Sequence, residues 1–378
     1  MRLLSFTTLY PNALQPNHGV FVENRLRHLV GTGQVTATVL APIRWSPGRA
    51  SAPAEEFRHG IRVLHPRWLA VLGGTPLAPW LLYLAARRAL AGLLAAGRRF
   101  DAIDAHYLYP DGVAAVWLGR QFGLPVAVTA RGSDVTQFPN HLLPRVMIRR
   151  AVLKADAVIT VSAGLRDALA ALGIPPDRMT VLRNGVDLHM FAPQDPAAAR
   201  RTYGVAGRTL VSVGSLIERK GHHRTIEALT HLPGWELIIA GEGPERARLR
   251  ALAARLGVGA RVRLLGPVPH AELAALYSAA DLSVLASSRE GWANVLLESM
   301  ACGTPVIASP IPGNPEVVQA RSAGLIAKAN TAEALAAAVL DWEEKPGDRA
   351  ETRAYAELFG WDATSQGQLA IFKKLTRS

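Results

Sequence analysis

The stretch TLVSVGSLIERKGHHRTIEALTHLPGWELIIAGEG, residues 209–243, predicts one complete strand–helix–strand unit. Its two ends, TLVSVGS and WELIIAGEG, are short apolar runs typical of buried strands, and a helix is predicted to begin after Gly221. Strands that alternate with helices build parallel sheets, because each helix carries the chain back to start the next strand. The stretch therefore predicts an α/β fold.

The same alternation continues on both sides of this unit. The other predicted strands are RLLSFTTLY (2–10), VTATVLAPI (35–43), IRVLHP (61–66), DAIDAHYLY (101–109), VAVTA (126–130), AVITVS (157–162), MTVLRNG (179–185), VRLLGPV (262–268), LSVLAS (282–287), PVIASP (305–310) and GLIAK (324–328). The polar, proline-containing run at 191–207 separates two series and resembles a linker.

These patterns predict two Rossmann-like, doubly wound domains that face each other across a cleft, with domains at 1–190 and 191–378. Ligands of such sheets bind at the carboxyl ends of the strands. The tail at about 360–378 is predicted to be one last amphipathic helix, and packing of this helix back on the N-terminal domain is left open.

Composition agrees with two globular domains in 378 residues, with 49% apolar and 19% charged residues. Cys302 is the only cysteine, which excludes a disulfide framework or a cysteine metal cluster within one chain. The first residues, MRLLSFTTLYPN, lack the apolar core of a signal peptide. We therefore expect a cytoplasmic protein.

The positive charge is concentrated in the first half of the chain. Residues 1–195 contain 21 Lys and Arg against 12 Asp and Glu, a net charge of +9 within a total of +12. Such a field suits nucleic acid, an anionic membrane or a phosphorylated ligand. No nucleic-acid-binding signature accompanies it, so no nucleic acid partner is expected.

Residues 68–86, WLAVLGGTPLAPWLLYLAA, contain no charge and precede Arg87 and Arg88. Glycine and proline interrupt the run, which predicts a loop and a short helix instead of a membrane span. Two interpretations stay open: peripheral docking on an anionic membrane at the inner face of the cell membrane, and an ordinary core helix with its loop.

Two turns of the second half are candidate phosphate sites. Arg219 and Lys220 precede the helix start at Gly221, where backbone amides and a cation together favour an anion. Gly241 lies in the strand exit GEGP, where tight turns need glycine for conformational reasons alone. A solvated basic turn is the structural alternative for the first of these.

The run SREGWANVLLESMACGTP, residues 288–305, carries two carboxylates. Glu290 lies in a loop after a strand, and Glu298 lies one turn into a predicted helix for which Asn294 is the expected N-cap. The amides of Asn294, Val295 and Leu296 would then present the positive end of the helix dipole. An acid in a first helical turn also has a structural explanation, whereas Glu290 has none as good.

Polar residues also follow the strands of the first half. Gly19 stands where the first strand's loop enters a helix, and a glycine there permits close approach to a phosphate. His106, Arg131 and Asp134 occupy successive strand ends, and Asn184 follows the last strand. A lone histidine is usually structural, and Asn184-Gly185 is equally a simple turn.

Several motifs are absent. There is no GxxxxGK[ST], HExxH or GxSxG and no paired Asp-x-Asp at a strand end, so a P-loop enzyme, a zincin and an α/β-hydrolase lose support. A dedicated metal site is likewise not predicted.

Four stretches of the second half resemble, in order and spacing, the family 4 retaining glycosyltransferases of GT-B architecture. They are VGSLIERKGHHRTIEAL, IAGEGPERARL, VRLLGPVPHAELAALYSAADLSVLAS and SREGWANVLLESMACGTPVIASPIPGNPEVV. The first half is similar in outline, through LYPNALQPNHGVFVENRLRHL, DAHYLYPDG and TARGSD, to bacterial enzymes of exopolysaccharide or teichuronic-acid type.

The resemblance implies roles for individual residues. Glu290 would bind hydroxyls of the transferred sugar, Glu298 the nucleotide ribose, and Lys220 the diphosphate. The remaining implied donor-site residues are Gly19, Ser215, Gly241, Val268 in the loop that meets the base, Gly291, and the amides of Asn294, Val295 and Leu296. His106 and Arg219 join the catalytic set, and Arg131, Asp134 and Asn184 would line the acceptor side.

Two positions depart from the family pattern. Ser215 stands where the family usually has an arginine paired with the lysine, and Arg131 stands where many members have histidine. We hypothesise that Arg219 or Arg131 partly replaces the missing arginine.

Taken with the resemblance, the residues predict a hexosyltransferase-type enzyme that uses a UDP- or GDP-type sugar, with no cofactor and no metal. Its acceptor would be a glycan or a lipid-linked glycan in cell-surface polysaccharide synthesis. The alternatives are a GT-B nucleotide-sugar epimerase and a noncatalytic protein that binds carbohydrate or nucleic acid. The sugar, the nucleotide, the acceptor and the oligomeric state stay open.

Overall fold

The computed structural model describes residues 1–45, 51–69 and 75–377. The chain forms two compact units, one made of Met1–Asn184 and the segment from Trp361 onward, the other of Gly185–Gly360. Each unit is an α/β sandwich with a mainly parallel sheet, which confirms the predicted fold class.

The first unit contains an eight-stranded sheet in the order β10-β9-β8-β7-β1-β2-β5-β4 and a two-stranded sheet β3-β6 among the described residues. The strands are β1 (Arg2–Phe6), β2 (Thr36–Leu40), β3 (Ile43–Trp45), β4 (Glu55–Arg58), β5 (Ile61–Leu64), β6 (Arg67–Leu69), β7 (Ala102–His106), β8 (Val126–Ala130), β9 (Ala157–Thr160) and β10 (Met179–Val181). Its helices are α1 (Val20–Gly31), α2 (Ala78–Ala95), α3 (Val113–Phe122), α4 (Ser133–Thr136), α5 (Leu142–Lys154), α6 (Ala163–Ala170) and, at the end of the chain, α15 (Trp361–Leu375).

Strands at the centre of this sheet are buried along their whole length, as β7 and β8 show. Helices on both faces of a parallel sheet require such apolar runs, which is why the sequence predicts them well. The edge strand β4, EEFR, was not predicted. It pairs antiparallel with β5, and its charged side chains reach solvent, with Glu55 bonded to Arg62 of its neighbour.

The second unit contains a six-stranded parallel sheet in the order β13-β12-β11-β14-β15-β16. The strands are β11 (Arg208–Val213), β12 (Trp235–Ala240), β13 (Val262–Gly266), β14 (Leu282–Leu285), β15 (Val306–Ala308) and β16 (Gly324–Ile326). The helices are α7 (Pro196–Tyr203), α8 (His222–Ala228), α9 (Arg246–Arg255), α10 (Leu273–Ala279), α11 (Asn294–Ala301), α12 (Asn314–Val317), α13 (Ala332–Glu344) and α14 (Arg349–Glu357).

The sheet order places the first strand of the unit, β11, in the middle, between β12 and β14. Strand order therefore reverses at β11, and the loops that follow β11 and β14 leave the same edge of the sheet side by side. This topological switch point is where doubly wound sheets bind their ligands.

The boundary between the units differs from the predicted one. The chain passes from the first unit to the second at Asn184–Gly185, before the predicted boundary at residue 190. The polar run at 191–207 is not a linker, because it lies inside the second unit and its central part forms α7. The Asp195 carboxylate caps that helix by accepting the N–H groups of Ala197 and Ala198.

The last helix, α15, belongs to the first unit. Leu369 and Phe372 are buried in a cluster with Leu3 of β1 and Leu29 of α1. At the start of the helix, the Trp361 ring stacks on His28, with 5.2 Å between the ring centroids. The first unit therefore consists of two separate segments of the chain.

The uncharged segment 68–86 is only partly described, since residues 70–74 lie outside the described residues. Beyond that gap, the helix α2 is 18 residues long and not short as expected. Pro79 stands in its first turn, where proline has no hydrogen bond to lose, so it starts this helix instead of breaking it. In the described part of the chain, no helix is both long and apolar enough to cross a membrane.

Replacing Phe372 by alanine is expected to destabilise the protein by about 3–5 kcal/mol, because it removes a fully buried aromatic ring from the core that α15 shares with α1. The measurement is the free energy of unfolding in urea. The matched control is Leu358→Ala in the second unit, whose side chain is 78% exposed and should cost little. Equal effects of the two substitutions would contradict this packing of α15.

Candidate active site

The loop after β11 brings two cations to the carboxyl edge of the second sheet. Residues Glu218–Lys220 form one 3-10 turn, and Gly221 then starts α8 with a φ of 70°. The Arg219 carbonyl accepts the Ser288 N–H at 2.8 Å, so this turn is tied to the loop after β14. Because β11 and β14 are parallel neighbours, the two loops meet at one edge.

The central contact of this site joins Lys220 and Glu290. The Lys220 Nζ lies 2.7 Å from Oε1 of Glu290, and the Ser287 hydroxyl donates to the same oxygen at 2.7 Å. The Arg219 guanidinium lies 3.7 Å from Oε2 and also donates to the Arg289 carbonyl at 3.0 Å. Glu290 therefore sits between two cations, with a side chain that is 9% exposed.

The pKa of Glu290 lies below the usual range of a glutamate. Burial opposes ionisation of this carboxyl, but the charges of Lys220 and Arg219, together with the hydrogen bonds from Lys220 and Ser287, stabilise the carboxylate more than burial penalises it. Glu290 is thus an ionised carboxylate at neutral pH, and the donors Lys220 and Ser287 hold it in place.

Glu298 lies on α11 and has its own partners. Its Oε1 is 3.3 Å from Nε2 of His270, and its Oε2 accepts the Tyr277 hydroxyl at 3.5 Å. The Phe191 ring packs edge-on against the His270 ring, with 5.0 Å between centroids. The two carboxylates of the Glu-x7-Glu pattern therefore belong to separate clusters of one unit.

The expected N-cap at Asn294 is wrong. Asn294 is the first helical residue of α11, Ala293 occupies the cap position, and no side chain caps the helix. The preceding loop curls so tightly that the Asn294 N–H donates to the Trp292 carbonyl at 3.2 Å, and the Leu296 N–H donates to Ala293 at 3.1 Å. The sequence predicted that the N–H groups of Asn294, Val295 and Leu296 bind phosphate. In the structure, those of Asn294 and Leu296 already donate to backbone carbonyls.

Gly241 is required by packing between loops. With a φ of 149°, it lies so close to the turn after β11 that an added Cβ would stand 1.9 Å from the Gly214 carbonyl oxygen. Its N–H donates to the Gly266 carbonyl at 2.8 Å. The close packing between the two loops therefore requires a glycine at position 241. A contact of Gly241 with a nucleotide-sugar donor stays a prediction.

Three further predicted donor residues have less defined surroundings. Ser215 is exposed in the turn after β11, Val268 is half-buried in the loop after β13, and Gly291 is buried beside Gly313. Ser215, where the resemblance implies an arginine, supplies no cation. Arg219 is the arginine of this loop that reaches Glu290.

In the first unit, Gly19 is also fixed by close packing. It begins α1 with a φ of 72°, and an added Cβ would stand 2.4 Å from the Leu9 carbonyl oxygen. A side chain at this position would push α1 away from the loop after β1. The glycine is therefore needed for the fold, whatever it contacts in a donor complex.

His106, Arg131 and Asn184 form one buried cluster of the first unit. Arg131 donates to Nδ1 of His106 at 2.8 Å and to Oδ1 of Asn184 at 3.0 Å. Arg25 of α1 donates to the same Asn184 oxygen at 3.1 Å. An acceptor Nδ1 requires the neutral tautomer of His106 with its proton on Nε2, which lies 3.3 Å from an oxygen of Asp104.

The charges of this cluster are set by burial. Burial lowers the pKa of His106, and the neighbouring Arg131 adds to that effect, while Asp104 opposes it. Burial would raise the pKa of Asp104, but His106, Arg25 and Arg131 lower it overall, so Asp104 is ionised. Two guanidinium groups thus face one carboxylate inside the cluster.

Asp134 has a local structural role. Its carboxylate accepts the N–H groups of Leu108 at 2.8 Å, Arg131 at 3.1 Å and Gly132 at 2.6 Å. It therefore ties the loops after β7 and β8 together and fixes the backbone from which Arg131 projects. Its burial raises the pKa of its carboxyl, and these three backbone donors oppose that shift.

Sequence reasoning missed several partners of the predicted residues: Arg25, Asp104, Phe191, His270, Tyr277 and Ser287. Arg25 lies in an ordinary helix, and Ser287 lies just after an ordinary strand, so neither carries a local signal. Asp104 did offer one, because an acid in the middle of a fully buried strand needs a partner.

Two other features of the described residues bear on the site. No group of three or more His, Cys, Asp or Glu side chains is arranged to hold a metal ion there. A cavity of about 840 Å³ in the first unit is lined by Val126, Ala157 and Thr180 at the amino ends of β8, β9 and β10. The cavity therefore lies near the amino ends of these strands, whereas His106 and Arg131 lie at the carboxyl ends of β7 and β8.

Two family models match the chain. The model described as Glycosyltransferase Family 4 matches residues 19–190, and the model described as Glycosyl transferases group 1 matches residues 204–359. Together they cover most of both units.

The chain is also similar to the D-inositol 3-phosphate glycosyltransferases of Mycobacterium tuberculosis and Mycobacterium bovis. Each is 31% identical over 299 residues, which cover 73% of this chain and 62% of the relative. The chain thus spans less than two thirds of the length of these relatives.

Solved structures show the fold. Sucrose-phosphate synthase from Thermosynechococcus elongatus matches with a TM-score of 0.83 at 21% identity, over 99% of this chain and 98% of the other. The Anabaena protein HepE in complex with UDP matches with a TM-score of 0.77 at 20% identity, over 99% of this chain and 100% of the other. These likenesses confirm the GT-B fold, and the two family models show that the chain belongs to the glycosyltransferases of family 4 type.

Proposed function

We propose that this protein is a retaining glycosyltransferase that moves a sugar from a UDP- or GDP-type donor to a glycan or lipid-linked acceptor in cell-surface polysaccharide synthesis. The observation that carries the proposal is the contact of Lys220, Ser287 and Arg219 with the ionised Glu290 at the switch point of the second sheet. A buried ion pair at this edge gives a donor both a cation and an anion to bind. We place the enzyme in the cytoplasm, peripherally at the inner face of the membrane.

Lys220 is the residue proposed to stabilise the departing diphosphate. Glycosyl transfer passes through an oxocarbenium-like state while negative charge grows on the leaving group. A fixed cation in a partly buried site stabilises that charge more than water does. Without donor, Glu290 neutralises Lys220, and a bound diphosphate would share the ammonium with the carboxylate.

Glu290 is proposed to orient the sugar and not to attack it. One of its oxygens accepts from both Lys220 and Ser287, and the other faces Arg219. A carboxylate held in this way is a weak nucleophile but a good acceptor for sugar hydroxyls. This arrangement supports retention by attack from the leaving-group face over a covalent sugar–enzyme intermediate.

Glu298 is proposed to bind the hydroxyls of the nucleotide ribose. His270 and Tyr277 hold its carboxylate from one side, and both rings pack near Phe191. The separation of its cluster from that of Glu290 fits a donor whose sugar and ribose lie on either side of the diphosphate. Such a donor would span both carboxylates.

A phosphorylated small acceptor is a second candidate. Arg25 and Arg131 converge on Asn184 in the first unit, with Asp104 as the carboxylate that faces them. A surplus of guanidinium charge favours an anionic acceptor. The 31% identical relatives are named D-inositol 3-phosphate glycosyltransferases, a name that contains a phosphorylated small molecule and supports this candidate.

The proposed function is tested by a donor screen followed by an acceptor screen. One UDP- or GDP-sugar is expected to raise the melting temperature, because a ligand that binds only the folded state stabilises it by mass action. Nucleotide release should then require an added glycan, lipid-linked or phosphorylated acceptor. Conversion of the donor without acceptor would indicate an epimerase, and binding without any turnover would indicate a noncatalytic protein.

Glu290→Gln is expected to lower kcat at least about 100-fold with little change in fold, because the neutral amide no longer orients the donor beside Lys220. Lys220→Met should lower kcat similarly and also destabilise the protein by about 3–5 kcal/mol, since it leaves a buried carboxylate without its partner. The control is the double variant Lys220→Met/Glu290→Gln. It should recover stability but not activity, and recovered activity would refute the catalytic roles.

Arg219→Ala is expected to weaken donor binding about tenfold, because it removes the second cation beside Glu290. Isothermal titration with the donor found in the screen measures the effect. Adding Ser215→Arg to this variant should recover affinity by restoring the usual family residue. The matched control is Arg248→Ala, which removes an exposed arginine of α9 that pairs with Glu245. Unchanged donor binding in Arg219→Ala would contradict the hypothesis that Arg219 replaces the missing arginine.

Activity is expected to persist in excess EDTA, because Lys220 is proposed to stabilise the leaving diphosphate without a metal. The initial rate of nucleotide release is compared with and without chelator. Loss of activity in EDTA that Mg²⁺ or Mn²⁺ restores would overturn the metal-independent mechanism while leaving glycosyl transfer intact.

A further inference from the structure

Helix α5 of the first unit presents apolar side chains to solvent. Leu142, Leu143 and Val146 are exposed by 73%, 58% and 37%, while Pro144 and Ile148 on the inner face are buried. Large apolar side chains that cluster on a surface indicate an interaction site more than single ones do. In the second unit, by contrast, exposed large apolar residues such as Leu340 and Leu358 lie on different helices or beyond their ends.

The same helix is strongly basic. Arg145, Arg149, Arg150 and Lys154 are exposed, and its 13 residues contain no acid. At 100° per residue, Arg149 and Arg150 lie on either side of the line through Leu142 and Val146. The outer face of α5 is therefore an apolar stripe bordered by cations, the composition of helices that lie in the interface of a membrane.

The charge pattern decides between possible partners. A second copy of the chain would bring four more cations against the first four, which is unfavourable at short range. A bilayer that contains acidic lipid supplies phosphates for the cations and an apolar layer for the leucines. The uncharged segment 68–86 is a weaker candidate, because its exposed Leu69 and Leu77 lie on either side of residues 70–74, which are outside the described part of the chain.

We propose that the outer face of α5 docks the protein on an anionic membrane surface. Leu142, Leu143 and Val146 would enter the headgroup layer, and Arg149 and Arg150 would bind lipid phosphates. The helix follows the loop of Arg131 and Asp134, so its first turn lies at the carboxyl edge of the sheet in the first unit. Docking there would bring a lipid-linked acceptor to that edge, a consequence that rests on the proposed function.

The test is flotation of the full chain with vesicles of phosphatidylcholine alone or with about one third phosphatidylglycerol. The protein is expected to float with the acidic vesicles and not with the neutral ones, and 0.5 M salt should weaken binding through screening. The vesicles contain no donor and no acceptor. Their result is therefore independent of whether the proposed transferase activity is correct.

Two α5 variants separate the charged and apolar contributions. Arg149→Gln/Arg150→Gln should lower the partition coefficient on acidic vesicles by roughly 30-fold, at about 1 kcal/mol for each charge. Leu142→Ser/Leu143→Ser/Val146→Ser should lower it by about tenfold or more through lost apolar burial. Since all five side chains are exposed or nearly so, the melting temperatures should stay close to that of the original protein.

Matched controls are available in the second unit. Arg248→Gln/Arg250→Gln on α9 makes the same change in charge on a helix without exposed large apolar residues, and Leu340→Ser/Leu358→Ser removes exposed leucines elsewhere. Both controls should bind acidic vesicles as the original protein does. If the α5 variants also bind normally, or if no variant or parent binds acidic vesicles, the proposal is wrong.

Two further measurements test the docking face independently of flotation. Size-exclusion chromatography should give the same elution volume for the parent and the α5 variants; an α5 variant that dissolves an oligomer while keeping its vesicle binding would assign the face to a protein partner. With an active preparation, the α5 variants should keep their rate on a soluble acceptor and lose rate on a vesicle-bound one. Equal rates on both acceptors would contradict the docking role.

Discussion

The ion pair between Lys220 and Glu290 is the contact around which the candidate site of the second unit is built. It forms because β11 and β14 are parallel neighbours, so the loops that leave them lie side by side. Gly221 allows the loop after β11 to approach the end of β14, and Gly241 allows the loop after β12 to approach the turn after β11, at distances that no side chain would permit. The pair is costly to bury, and Ser287 and Arg219 supply the additional polar partners that such a pair needs.

The first unit also buries charged side chains, but here two guanidinium groups stand against one carboxylate. Arg25 and Arg131 are buried and share the side-chain oxygen of Asn184, while Asp104 is the carboxylate that offsets them. His106 is held neutral between Arg131 and Asp104, which fixes its tautomer and its ring orientation. The neighbouring polar groups thus accommodate the charge of Arg131, the position at which the family resemblance implies a histidine.

Sequence patterns predicted the buried strands well and the surface elements poorly. The central strands are apolar because helices cover both faces of the sheet, so their signal is strong. Edge strand β4 and helix α7 gave no such signal, since charged edges and polar capped helices resemble loops. Asn294 was expected to cap α11 from its residue type alone, but the tight Trp292–Asn294 turn moved the helix start onto it.

The sequence by itself determined the α/β class and the two-unit organisation through local hydrophobic periodicity. Fixed motif spacing also predicted Lys220, Glu290 and Glu298 as site residues. Only the tertiary structure decided which residues are partners: Ser287 and Arg219 with Glu290, His270 and Tyr277 with Glu298, and Arg25 and Asp104 with the cluster of Arg131. The tertiary structure also assigned α15 to the first unit and showed that one side of α5 presents apolar side chains to solvent. Such pairings depend on strand order and burial, which join residues far apart along the chain and leave no local trace.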